Sequence, residues 1–196
     1  MIAGQADYHK EILDLAGANS ITPEHLDWKQ FRQGGGFERD TKHQGVFIRA
    51  QDRPVYTEGD LDRLVNAHCV IALDQVSDPQ NLATILRGAA FFGADAVMIL
   101  KNRSVRVTPT VTRNAVGGAE YVDIYRVTTL ARALVDLQQM SFTVYGLEDN
   151  ADTSLAAAGI TAQTAFVIGA EGEGLRAKTR RTCDAIVSIP GGVEGV

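Results

Sequence analysis

The chain has 196 residues, of which 45% are hydrophobic and 22% charged, with a net charge of −5 and a pI near 5.3. That length and balance fit one well-cored globular domain with a small appendage. They exclude a membrane span, since no run of about 18 apolar residues occurs, and the N-terminus lacks the basic-then-apolar layout of a secretory signal.

Cys69 and Cys183 are far apart and outside any metal-ligand spacing, so a reduced, cytoplasmic setting without metal is expected. The acidic average counts against a nucleic-acid binder, but the distribution matters more than the mean. Lys101, Arg103, Arg106 and Arg113 fall within thirteen residues that hold no Asp or Glu. Arg176, Lys178, Arg180 and Arg181 form a second cluster. The ordinary reading of each cluster is a solvated face.

In chain order, "HKEILDLA" reads as a short amphipathic helix. "SITPEHLDWKQF" reads as a second, capped near Ser20 or Thr22, with Trp28 and Phe31 buried. "RQGGGFERDTKHQG" is a breaker-rich linker, and "GVFIRA" (45–50) a strand. "HCVIALD" is an apolar run of strand length ending in an acid. Asp78-Pro79 is a turn signal, after which "NLATILRGAAFFG" has helical periodicity stopped by Gly93. "AVMIL", "TVYGL", "TAFVIGAE" and "AIVSIP" read as strands. "TTLARALVDLQQM", "SLAAAG" and "GLRAKTRRTC" read as helices between them. Alternation of this kind over 67–190 predicts an α/β fold: a mostly parallel sheet with helices on both faces, and ligands at the strands' carboxyl ends. Those ends carry "LDQVSDPQN", "GLEDN", "IGAEGEG" and "SIPGG".

The common site motifs fail. "GAEGEG" lacks the G-x-G-x-x-G spacing, and Leu175 stands where a phosphate loop needs Lys. His9, His25, His43 and His68 all precede the main helical repeats and read as structural. Asn81, read alone, is a helix N-cap. Arg87 is a surface arginine over the sheet edge, and Glu171 and Glu173 are acids favoured at the start of "GLRAKTRR".

Two segments together are more specific: "DQVSDPQNLATILRGAAFFGADAVMIL" (74–100) and "FVIGAEGEGLRAKTRRTCDAIVSIPGG" (166–192). They resemble the first two motifs of the SpoU/TrmH-type RNA ribose 2′-O-methyltransferases, most of all the branch that modifies a guanosine of 23S rRNA. The matching positions are Asp74, Val76, Asp78, Pro79, Asn81, Arg87 and Gly93; "GGAEYVDIYRV", "TTLARAL" and "TVYGLE" follow in the family's order, so the likeness runs over about 43–196.

The resemblance implies a trefoil-knotted fold, S-adenosylmethionine as methyl donor, and a homodimer whose active sites draw on both subunits. It implies catalytic roles for Asn81, Arg87 and Glu171. It places the donor against Gly146, Leu147, Gly169, Glu171, Gly172, Ile189 and Pro190, and RNA near Arg113; Lys101 and Arg103, basic and directly after the strand "AVMIL", are expected to bind RNA with it. A cationic donor without phosphate is compatible with a glycine loop that carries carboxylates. Glu173 is expected to remain a helix-start acid. A transfer RNA substrate, and a non-catalytic RNA-binding relative or fragment, are the alternatives.

The expected organisation is an abbreviated accessory segment over 1–42, a linker and entry strand over 43–66, and the methyltransferase domain over 67–196. Two departures bear on this. Residues 1–42 are too short for the ribosomal-protein-like domain of this branch. The chain also stops at "VEGV", where the family's third motif, close to S-L-N-V-S, would begin, so the expectation is truncation with an incomplete donor pocket and knot.

Overall fold

The computed structural model describes residues 2–3, 9–35, 44–49, 51 and 53–191. The chain forms two compact units, Met1–Asp52 and Arg53–Val196.

In the first unit, helix α1 (Lys10–Ala18) follows the periodicity of its sequence and buries no residue. Helix α2 (Trp28–Gly35) begins eight residues after Ser20. Its cap is Asp27, whose Oδ1 accepts from the backbone N–H groups of Lys29 and Gln30 at 2.8 Å each, while Gln30 Oε1 accepts from Asp27 N at 3.1 Å. That reciprocal pair is a capping box, and it outcompetes the Ser20 and Thr22 starts because only Asp27 has its partner three residues on. Phe31 is fully buried as expected, but Trp28 is 48% exposed, its ring meeting Phe31 edge-on at 5.9 Å. The expected strand over 45–50 is reduced to one antiparallel bridge from Val46 to Ile2, and Ile2 also bridges His25. Ala50 and most of the predicted linker (36–43) lie outside the described residues.

The second unit is a seven-stranded sheet: β1 (Val55–Tyr56), β2 (Cys69–Asp74), β3 (Ala96–Leu100), β4 (Asp123–Val127), β5 (Thr143–Leu147), β6 (Thr164–Gly169) and β7 (Ala185–Val187). The spatial order is β1-β4-β3-β2-β6-β5-β7, and every pairing is parallel. Parallel strands need crossover helices, which cover both faces. Helices α3 (Pro79–Phe92) and α4 (Pro109–Asn114) pack on one face over Leu73, Val97, Ile99 and Ile124. Helix α5 (Leu130–Gln139) and a 3-10 helix over Glu58–Asn66 pack on the other, over Val70, Ala72, Met98, Leu100 and Tyr125; α6 (Ala177–Thr182) packs against α5. Interior strand β3 is buried at all five positions, hence the unbroken apolar run "AVMIL". Each fully buried Leu, Ile or Val contributes about 1.5–3 kcal/mol, so this double layer fixes the sheet before any site residue is considered.

Three predicted elements are shorter than expected. "SLAAAG" is one 3-10 turn, Leu155–Ala157. α6 begins at Ala177 rather than Gly174, and β7 ends at Val187, leaving Ser188 a bridge to Ser154 and Ile189 and Pro190 outside the strand.

Candidate active site

Strand order decides where a ligand can sit. From β2 the chain crosses through α3 to β3 on one side, while from β6 it crosses through α6 to β7 on the other. Adjacent strands that leave in opposite directions open a crevice at their carboxyl ends. Here that crevice lies beyond Asp74 and Gly169, which are paired in register.

The β2 side of the crevice is built by a cap. Asp78 Oδ1 accepts from Gln80 N at 2.9 Å, with Pro79 at the first helical position. Asp78 is thus the N-cap, not Asn81, whose side chain is left available in the first turn of α3. The β6 side is the loop "GAEGEG". Ala170 and Gly174 exchange backbone hydrogen bonds (3.2 and 2.9 Å), so Glu171, Gly172 and Glu173 form the tip of a tight reversal. Gly172 and Gly174 have φ of 78° and 66°, the region where glycine is unstrained. A Cβ on Gly169 would sit 2.2 Å from the Gly174 carbonyl carbon, so this glycine is required by the loop's own return path.

The α3 entry and the tip of the loop meet through one side-chain hydrogen bond: Asn81 Nδ2 donates to Glu171 Oε2 at 3.2 Å, across 90 residues of sequence. Asp78, Asn81, Arg103, Gly169, Glu171 and Glu173 all line the same cleft. Arg103 arrives on the loop after β3, at a φ of 59°. That loop is fastened to the β2 exit by Ser104 Oγ and Val105 N, which both donate to Val76 O, at 3.0 and 3.1 Å. Glu173 does not start a helix; α6 has no acid in its first turn, because Arg176 is its N-cap.

The donor-side expectations fall on neighbouring strand ends. Leu147 is in register with Ile168 on β6 and Val187 on β7, so the ends of β5, β6 and β7 lie side by side. Gly146 is a packing position: a Cβ there would meet Ile186, Leu175 and Cys183 at 2.7–3.0 Å. Ile189 is 64% exposed, and Pro190 is exposed beside it. Burial, with Asp184 adding to it, pushes the Cys183 thiol up to about 12, so it is a packing group and not a nucleophile at neutral pH.

The structure does not bring Arg87 into this cluster. It lies on another face of α3, exposed, with no hydrogen bond or ion pair among the described residues. The 3-10 turn Gly118–Glu120 packs against its backbone, where a Cβ on Gly118 would be 2.7 Å from Arg87 Cα. Lys101 and Arg113 are likewise exposed.

Nearby cations are largely spoken for. Arg176 is paired with Asp74, and Arg180 with Glu148 at 3.0 Å. In the lining of the cleft, Asp78, Glu171 and Glu173 outnumber the single cation Arg103, and neither glutamate has an ionic partner among the described residues, so the cleft suits a small cationic ligand. Also among the described residues, no group of three or more His, Cys, Asp or Glu is placed to hold a metal, and no helix is long and apolar enough to cross a membrane.

Residues 68–194 match the SpoU rRNA Methylase family. The chain belongs to that family. Among its relatives, the 23S rRNA (guanosine-2'-O-)-methyltransferase RlmB of Xanthomonas campestris pv. campestris is 35% identical over 96% of this chain and 82% of that protein. The protein of the same name from Ralstonia nicotianae is 40% identical over 95% of this chain and 76% of its own. In fold, this SpoU chain is similar to the AdoMet complex of the SpoU methyltransferase AviRb from Streptomyces viridochromogenes. The TM-score is 0.72 at 19% identity, over 100% of this chain and 74% of that one. The α/β fold with a parallel sheet read from the sequence is therefore the observed one.

Proposed function

We propose that this SpoU-family protein transfers a methyl group from S-adenosylmethionine to a ribose 2′-hydroxyl of RNA, the substrate being a guanosine of 23S rRNA. The observation that carries the reading is the Asn81–Glu171 contact, which joins the family's two motif segments at the switch point of the sheet. The substrate rests on the relatives, whose names specify that nucleoside and RNA.

When bound, S-adenosylmethionine supplies an electrophilic methyl group on a cationic sulfonium. The donor pocket is assigned to Gly146, Leu147, Gly169, Glu171, Gly172, Ile189 and Pro190. Carboxylates facing a cation, and strand ends without a competing lysine or phosphate loop, fit that donor. Glu171 holds the Asn81 amide in one orientation, which leaves the Asn81 carbonyl oxygen free to accept a hydrogen bond. The ribose hydroxyl must shed its proton as it attacks. A guanidinium, which keeps its proton under all physiological conditions, is a poor base but a good stabiliser of the developing oxyanion or clamp on the adjacent phosphate. Arg87, exposed and unpaired, is assigned that role. Arg103 at the cleft, with Lys101 and Arg113, is assigned to the RNA backbone.

The reading includes a homodimer and, with it, the trefoil knot and a cytoplasmic location. Phe91, Phe92 and Tyr121 are 82%, 84% and 82% exposed, an apolar cost that a second subunit would relieve. It also includes an accessory segment over 1–42, a linker over 43–66 and a methyltransferase domain from 67. The family match beginning at residue 68 supports the last of these boundaries.

The test is Arg87→Ala, assayed for methyl transfer to ribosomal RNA and for donor binding by calorimetry. Loss of transfer with donor affinity kept supports the assignment; near-normal turnover overturns it.

A further inference from the structure

Asp74 is the one acidic side chain among the described residues with no exposure at all, at the last position of β2. Its two oxygens are both used by one residue. Oδ2 accepts from the backbone N–H of Arg176 at 3.0 Å, and Oδ1 accepts from Arg176 Nε at 2.7 Å, with Nη2 at 2.5 Å. Arg176 follows the "GAEGEG" reversal and caps α6. The ion pair therefore ties the strand end that leads to Asn81 directly to the foot of the loop that carries Glu171.

We infer that Asp74 and Arg176 are positioning residues: the grip of the Arg176 fork on the buried Asp74 carboxylate sets the height of the Glu171 loop against the α3 N-terminus, and so holds Asn81 and Glu171 in contact. Four features support this over a general contribution to folding. The hydrophobic layers already fix β2 and β6, which pair in register through six residues. Apart from the Asn81–Glu171 contact itself, the only hydrogen bonds of the loop between Ala170 and Gly174 among the described residues are its own two backbone bonds, and those set its shape but not its orientation toward α3. The Arg176 backbone N–H bond fixes where the loop returns, and the guanidinium, gripping the second oxygen, fixes how the carboxylate is turned. Finally, the pair joins a carboxylate with no exposure to a guanidinium that is 41% exposed; the cost of desolvating that carboxylate offsets much of the attraction, so the pair's distinctive product is geometry. A lysine could not reproduce a planar fork.

This inference rests on the reading of Glu171 as a site residue, and a double-mutant cycle separates the two. Arg176→Gln, Glu171→Gln and the double variant are compared in the full chain for kcat and for donor KM, with thermal melts to establish folding. The expected result is a loss of tenfold or more in kcat for each single variant. The double variant should be no slower than Glu171→Gln alone, because a misplaced loop cannot harm a group already removed. Losses that multiply in the double variant overturn the positioning role while leaving Glu171 in the site. A silent Glu171→Gln overturns both. Arg176→Lys, which keeps a charge beside the buried carboxylate, serves the same cycle if Arg176→Gln does not fold. Partial recovery of kcat in Arg176→Lys relative to Arg176→Gln supports the inference, and identical rates count against a role for the charge.

Discussion

Two glycines of "GAEGEG", Gly169 at the end of β6 and Gly172 at the tip of the loop, have different physical jobs, and substitution separates them. Gly169 has no room, since its Cβ would lie 2.2 Å from Gly174 C and 2.6 Å from Leu175 N. Gly172 has open space but a φ of 78°. Gly169→Ala must push the loop off the strand, an overpacking cost of about 1–3 kcal/mol or more. Gly172→Ala meets only the left-handed backbone penalty, about 1–2 kcal/mol. Urea unfolding of both variants should therefore show the larger loss at Gly169, and methyl transfer should fall further there, because Glu171 moves with the loop. Equal losses would mean the loop relaxes freely, and with it the claim that its shape matters.

At the scale of elements, the entry to α3 does most to create the site. Asp78 caps the helix, Pro79 starts it and Gly93, in the left-handed conformation, ends it. Removing the cap in Asp78→Ala should cost about 1 kcal/mol, read as a lower thermal midpoint, and should fray the first turn, where Asn81 sits. A reduced kcat at temperatures where the variant is fully folded would show that the frayed turn, not unfolding, is responsible. The same logic explains an element the sequence reading passed over. Helix α4 begins at Thr108-Pro109, with Thr108 Oγ1 accepting from Val111 N, a cap-and-proline signal identical in kind to Asp78-Pro79. It was hidden by its length of six residues and by the β-branched run "TPTVT", which reads as extended chain.

At the scale of the whole molecule, charge is segregated against an acidic average. The net charge of −5 argues against RNA, yet Lys101, Arg103 and Arg113 stand exposed after β3, and Arg103 reaches the cleft. Reversing both Arg103 and Arg113 to Glu should weaken RNA binding most at low salt. If each contacts one phosphate, the slope of log affinity against log salt should fall by about 1.5. An unchanged slope would make the patch ordinary solvated surface. The donor side should be indifferent to the change, so donor calorimetry on the same protein is the control.

Local sequence settles only what neighbouring residues can determine. The apolar runs, the helical periods, and the stops at Asp78-Pro79 and Gly93 mark β2, α3, β3, α5, β5, β6, α6 and β7 in order, because each depends on residues within a few positions; β1, β4 and α4 carry no such signal strong enough to read. The proposed site residues Asn81, Glu171 and Gly169 are legible only through a family resemblance; spacing alone reads Asn81 as a cap and Glu173 as a helix-start acid. Tertiary structure overturned both readings, by giving the cap to Asp78 and starting α6 at Ala177. It alone decided that β2 lies beside β6 and that their crossovers diverge. That order brings Asn81 to Glu171 over 90 residues and Asp74 to Arg176 over 102. Such pairings depend on how buried faces stack into a sheet, a global choice that no local pattern of side chains encodes.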